Sequence, residues 1–129
     1  MKKDTRLVII GSVAIDSVET PFGKRDDILG GSATYSGISA SFFNKNTAIV
    51  AVVGRDFPDK YREALAKRGV NIDGLETADG KTFRWKGNYA YDLNAPVTVY
   101  THLNVFSDFK PKIPRGMETA PYLFLANID

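Results

Sequence analysis

The chain has 129 residues, 43% of them hydrophobic, which is enough for one domain with a packed core. Seventeen basic residues against fifteen acidic ones leave a formal charge of +2, spread over short clusters such as Lys2-Lys3, Lys24-Arg25 and Lys110 to Arg115, so nucleic-acid binding gains no support. Cysteine is absent, which excludes disulfides, thiolate metal sites and thiol catalysis and is compatible with a reducing cytosol.

Leu7-Val8-Ile9-Ile10 is a continuous aliphatic run bounded by Gly11, the pattern of a strand buried on both faces of a parallel sheet. It is too short for a signal-peptide core of about 7 to 15 residues or a membrane span of about 20. A soluble, cytoplasmic protein with no membrane partner is expected. Gly11-Ser12-Val13-Ala14-Ile15-Asp16 follows, with Asp16 expected at the tip of that first strand. Ser17 to Ile28 mixes Val, Thr, Pro21, Gly23 and charged residues and reads as an exposed excursion of short edge strands and turns outside the core.

Gly30-Gly31-Ser32-Ala33-Thr34-Tyr35-Ser36-Gly37 then opens a helix expected over Ser32 to Phe43, whose small residues suit a close approach to a sheet. Two glycines at a helix start leave the backbone bare, so hydroxyls or anionic oxygens could approach it, and the first free helix N–H groups would point at them. Asp16 would add a carboxylate acceptor. Alone, a Gly-Gly pair is as readily a turn or packing device, and Asp16 a turn cap.

Ala48 to Val53 is a second buried-strand run, closed by Gly54. Pro58 suits the first turn of a second helix, Tyr61 and Leu65 share a face, Glu63 can pair with Lys67, and Gly69 is placed as the C-terminal stop. Alternating strand and helix is an α/β signature.

Thr82 to Tyr91 and Val97 to Phe106 are β-rich runs joined by the loop Asp92 to Pro96, suited to a hairpin. Strict alternation in the second run puts Val97, Val99, Thr101, Leu103 and Val105 on one face and Thr98, Tyr100, His102 and Asn104 on the other. Trp85, Tyr89 and Tyr91 offer rings either to a ligand or to a sheet face or dimer clasp. His102 reads as a surface or packing histidine, and Asp26-Asp27 as a solvated turn. Lys110 to Pro121 carries three prolines and reads as a connecting loop. Tyr122 to Ala126 is a third buried-strand run. Only two helices serve three such strands, so the sheet is expected to be cut short at its C-terminal side.

Gly11 to Asp16, the Gly30-Gly31 helix start, Val53-Gly54-Arg55-Asp56, Gly69-Val70-Asn71-Ile72 and the β-rich insertions together resemble the N-terminal half of the ribokinase-like, PfkB-type carbohydrate kinases. The resemblance covers nearly the whole chain. It implies an α/β fold, a doubly wound and mainly parallel sheet with a β-stranded lid, the lid segments lying near residues 17–28 and 82–106. It also implies transfer of the ATP γ-phosphoryl group to a sugar, polyol or nucleoside hydroxyl with Mg²⁺, and a homodimer clasped through the lid.

By the same resemblance Asp16 binds substrate hydroxyls, Gly30 and Gly31 bring the backbone against the substrate beside Ser32, and Asp129 lies where an acidic residue often touches substrate. An asparagine usual five residues after the first glycine is Tyr35 here, and one usual two residues before the aspartate is Ala14. Both departures point to a different or more apolar substrate than ribose.

The family's Gly-Ala-Gly-Asp type motif, with its anion hole and general base, does not occur in these 129 residues. The chain alone is therefore expected to bind neither ATP nor Mg²⁺ and to be inactive. The contrasting reading is a non-catalytic module that binds a small polar ligand or dimerises through its lid. Dinucleotide-binding, Walker and Gly-x-Ser-x-Gly motifs are absent. Gly30-Gly31-Ser32 comes nearest to a phosphate loop but lacks its lysine.

Overall fold

The aliphatic run Leu7–Ile10 is strand β1 and Thr47–Val53 is β4, and the two lie side by side, parallel, at the centre of a sheet. The structure, a computed structural model, describes residues 4–128. Between these strands the chain makes a hairpin, β2 (Ala14–Thr20) and β3 (Gly23–Gly30), and helix α1 (Ser32–Ser41). Helix α2 (Asp59–Lys67) leads to β5 (Asn71–Thr77), then come β6 (Phe83–Asn88), β7 (Val97–His102), a 3-10 turn (Asn104–Asp108) and β8 (Tyr122–Leu125).

Two four-stranded sheets result. The first is entirely parallel, in the order β5-β4-β1-β8. The second has the order β3-β2-β6-β7, with β2 and β6 parallel and the outer pairs antiparallel.

Both faces of β1 and β4 are covered, as their uninterrupted apolar composition requires. Ile9, Ile49, Ala51 and Val53 pack with Ala33 of α1 and Leu65 of α2 on one side. Val8, Ile10, Ala48 and Val50 pack under Met117, Phe109 and Ala120 on the other. The proline-rich segment thus closes the second face as well as connecting. Helix α2 stops at Gly69, whose φ of +83° is the left-handed conformation that ends helices.

Several expectations are corrected. The first helix ends at Ser41, two residues early, and no Glu63–Lys67 ion pair forms among the described residues. Asp16 lies inside β2 and not at the tip of β1, because the chain restarts a strand at Ala14. Strand β2 is interior to its sheet, with Ile15 and Ser17 buried, so Ser17 to Ile28 is only half an edge excursion. Strand β7 stops at His102, and Val105 and Phe106 belong to the 3-10 turn.

A register shift opposite Lys86 and Gly87 leaves Val99 as a bulge, so Thr98 and Thr101 share a face against strict alternation. Strand β8 has the composition of a buried strand but pairs only with β1. Its four residues are exposed, Leu125 by 70%, because no element among the described residues covers it.

Gly37 brings α1 close to the sheet: a Cβ there would stand 2.9 Å from Cγ2 of the fully buried Ile49. On an exposed helix, Gly→Leu gains about 0.8 kcal/mol from propensity. Here overpacking, typically about 1–3 kcal/mol, outweighs it. Gly37→Leu should therefore lower the urea midpoint with an unchanged slope.

Candidate functional site

The chain leaves β1, builds outward through β4 to β5, and returns to the opposite side of β1 as β8. The carboxyl ends of β1 and β8 therefore mark a switch point, the place at which open α/β sheets bind their ligands. Gly11 and Ser12 follow β1 there, and Ala126 and Asn127 follow β8.

Gly11 lies against Ser32 and Ala126, since a Cβ on it would stand 2.7 Å from the Ser32 hydroxyl and 2.8 Å from the Ala126 Cβ. The backbone N–H of Ser12 donates to the Ser32 hydroxyl at 3.0 Å, and the N–H of Ser32 donates to the Ser12 hydroxyl at 2.9 Å. The Ser32 hydroxyl also donates to the Asn127 carbonyl at 2.9 Å, and the Ala33 N–H donates to the Ser12 carbonyl at 2.9 Å.

Ser12 therefore occupies two amides at the start of α1. The expectation that those N–H groups point at a ligand is corrected: Ser32 and Ala33 are taken by a serine clasp that seats the helix on β1. Gly31 enters that clasp with φ +101°, a conformation open to glycine, and a Cβ on it would overlap the Ser12 carbonyl.

Gly30 and Asp16 meet. Ala14 and Gly30 are cross-strand partners, Asp16 is two residues along β2, and a Cβ on Gly30 would overlap the Asp16 carboxylate. Among the described residues that carboxylate has no hydrogen-bond or ion-pair partner, and burial alone pushes its pKa up to about 6. On the same face, Asp16 has Ile28 on one side and Trp85, then Thr101, on the other.

Tyr35 stands three residues beyond Ser32 on the same side of α1 and is 63% exposed. Asp129 lies outside the described residues. The rest of the site set thus falls on two adjoining structures: Asp16 with Gly30, and Gly31 with Ser32.

A third feature escaped the sequence. Asp56, just after β4, accepts from both the N–H and the hydroxyl of Thr82 at 2.7 Å, while the Thr82 hydroxyl accepts from the Gly54 N–H at 3.0 Å. Arg84 on β6 reaches Asp27 at 2.5 Å and Asp56 at 3.5 Å, and the Tyr61 hydroxyl on α2 donates to the Asp27 carbonyl at 2.5 Å. Burial works against the Asp56 carboxylate, but Thr82 and Arg84 outweigh it and hold its pKa below the usual range.

Asp27, with φ +53° at the β3 bulge, is thus no mere solvated turn. The Gly54-Arg55-Asp56 motif pins the second sheet to the first. Its signal in the sequence was the glycine: a Cβ on Gly54 would overlap the Gly80 carbonyl.

No family model matches the chain. A cytidine kinase of Thermococcus kodakarensis is 34% identical over 93 residues, 70% of this chain and 33% of that protein. The ribokinase of Cryptococcus neoformans var. grubii, solved with ADP, superposes with a TM-score of 0.75 at 20% identity over 96% of this chain and 41% of that one. The nucleoside kinase of Burkholderia thailandensis, solved with inosine, gives 0.63 at 16% identity over 76% and 37%. The chain spans about a third of the length of the curated relative and about two fifths of these solved chains.

The Asp16 carboxylate yields a pH test. Its native pKa of about 6 lies above the 3.8 of a free aspartate, so the folded state binds the extra proton. That contribution to stability is complete below about pH 4 and is lost as pH rises through about 6. Asp16→Asn should accordingly raise Tm relative to the wild type at pH 8 and leave it nearly unchanged at pH 4.

Proposed function

Because the chain carries the ribokinase-like fold, we propose that it is the substrate-binding portion of an ATP-dependent sugar or nucleoside kinase. The observation that carries the reading is the half-buried Asp16 carboxylate, without a partner among the described residues, lying against the bare backbone of Gly30. A carboxylate without partners is an acceptor for two adjacent hydroxyls, and each hydrogen bond to it is charge-assisted. Binding a polyol would supply the hydrogen bonds that burial has taken from it, so the ligand stabilises the charged form.

The second sheet, pinned at Arg84, carries Asp16 and serves as the lid. Gly31 and the serine clasp hold the other wall. Tyr35, where ribose-binding relatives usually have asparagine, favours a substrate with an apolar part. Asp129 is proposed as a further acidic contact.

ATP and Mg²⁺ belong to the parent enzyme. No residue of this chain is assigned to either. Activity is placed in the whole protein, working in the cytoplasm, and not in this chain.

A second reading has its own support. Phe22 and Tyr91, exposed by 72% and 77%, meet edge-on at 5.8 Å between hairpin tips, near exposed Val97 and Val99 on the edge strand β7. Such a patch suits a second copy of the lid.

Calorimetry with ribose and nucleosides, beside size-exclusion chromatography, decides between them. Saturable binding that strengthens from pH 5 to pH 7 and weakens at least about tenfold in Asp16→Asn, the loss of one charge-assisted pair, is expected. Ligand-independent dimers without any binding would favour the dimerisation module. Turnover of ATP by the purified chain would overturn the assignment of activity to the whole protein.

A further inference from the structure

The backbone crosses from the first sheet to the second in very few residues. Ala78 makes the last bond of the first sheet, its N–H donating to the Val53 carbonyl at 2.9 Å, and Thr82 is already buried at the base of the second. Asp79 and Gly80 lie between them, both exposed. The Asp79 side chain is 86% exposed and its partner Arg55 is exposed too, so the pair holds it only weakly. Gly80 has φ +133°, and among the described residues nothing accepts a hydrogen bond from its N–H. A cavity of about 250 Å³ beside Ala78 and Asp79 leaves room for the backbone to turn.

An aspartate followed by glycine carries its own chemistry. The amide nitrogen of the glycine can attack the side-chain carboxyl carbon, because no Cβ on the glycine stands in the way. A bond from that nitrogen to Cγ forms, the Cγ–O bond breaks, and water leaves to give a five-membered imide. Water then adds back to the ring. When the ring opens at the main-chain carbonyl, the backbone runs through the aspartate side chain and is one carbon longer, with the composition unchanged.

The sequence holds two such pairs, Asp73-Gly74 and Asp79-Gly80, and no Asn-Gly. Their surroundings differ. Gly74 lies within β5 opposite Val50, so near β4 that a Cβ on it would stand 2.7 Å from the Ile49 carbonyl. Closing the imide there would swing the residue out of its ladder.

We propose that Asp79–Gly80 is a site of spontaneous isomerisation to β-linked aspartate, and that this modification loosens the anchor of the second sheet. The Gly80 carbonyl accepts from the Arg55 N–H at 3.0 Å and rests on Gly54, where a Cβ would overlap it. Two residues on, Thr82 joins the Gly54 amide to Asp56. An extra backbone carbon in so tight a crossing displaces one of these contacts. The proposal is independent of what Asp16 binds.

The full chain is aged in warm neutral buffer, then cleaved with trypsin and a glutamate-specific protease, which places the two pairs on separate peptides, 69–76 and 77–81. β-Linked aspartate is read as methyl transfer by an isoaspartyl methyltransferase and as a shift in retention without a change in mass. Label should accumulate on 77–81 at least about tenfold faster than on 69–76, whose strand must open first. In the urea-unfolded chain the two rates should converge.

The aged, isomerised protein should melt roughly 3–6 °C lower, the shift that follows from losing a buried hydrogen bond. Asp79→Glu, which keeps the charge but would have to close a less favourable six-membered ring, should keep its Tm on ageing. Equal labelling of the two peptides, no labelling of 77–81, or a preference for 77–81 that persists in urea overturns the structural assignment of the site. Labelling of 77–81 with an unchanged Tm overturns its coupling to the anchor.

Discussion

The rim of the parallel sheet depends on one close approach of bare backbone: Gly30 lies so near the Asp16 carboxylate, and Gly31 so near the Ser12 carbonyl, that a single methyl group on either glycine would overlap them. This contact lets α1 start directly above the end of β1, with Ser12 satisfying the amides of Ser32 and Ala33. A helix seated this way needs no acidic first turn, and α1 has none. The same contact leaves no room for a side chain at residue 30 to hydrogen-bond the Asp16 carboxylate. Proximity and isolation of the carboxylate have one cause.

Position of the second sheet is a separate matter, decided by buried polar chemistry at its base. Thr82, fully buried, joins the Gly54 amide to Asp56, and Arg84 spans Asp56 and Asp27. The exposed Arg55–Asp79 pair nearby, at 2.6 Å, contributes little by comparison, because both side chains remain in water. Pinning the sheet at β6 fixes Trp85 one residue further on and, through the β2–β6 ladder, Asp16 beside it. Anchor and site are therefore consecutive residues of one strand, pointing to opposite faces.

The parts of this arrangement legible in the sequence were those governed by local pattern. Leu7–Ile10 and Thr47–Val53 declare themselves by unbroken aliphatic composition, and Gly69 by its place after a basic helix end. Strand β5 was not foreseen: Asn71, Asp73 and Glu76 break its apolar pattern, and Gly74 is needed because the neighbouring strand passes close, 2.7 Å from a Cβ to the Ile49 carbonyl. The bulge at Val99 reverses which threonines face Asp16 and has no local signature. At the site, Asp16, Gly30 and Gly31 could be named in advance, but the Ser12 clasp, the Trp85–Thr98 contact and the Arg84 anchor depend on residues 13 to 57 positions apart meeting in space.

Two aspartates at the junction of the sheets show how environment divides their work. Asp56 accepts two hydrogen bonds from Thr82 and faces Arg84, and its pKa is lowered. Asp16, more deeply buried and without a partner among the described residues, has its pKa raised. Were both structural, the chain would carry an uncompensated buried carboxylate where a neutral asparagine fits with less cost. A satisfied carboxylate holds a fold together, whereas a half-buried one with a raised pKa beside bare backbone is the kind of group that marks a candidate site. Opposite shifts in the same residue type, Asp56 just after β4 and Asp16 within β2, separate the anchor from the candidate binding group more sharply than any spacing in the sequence.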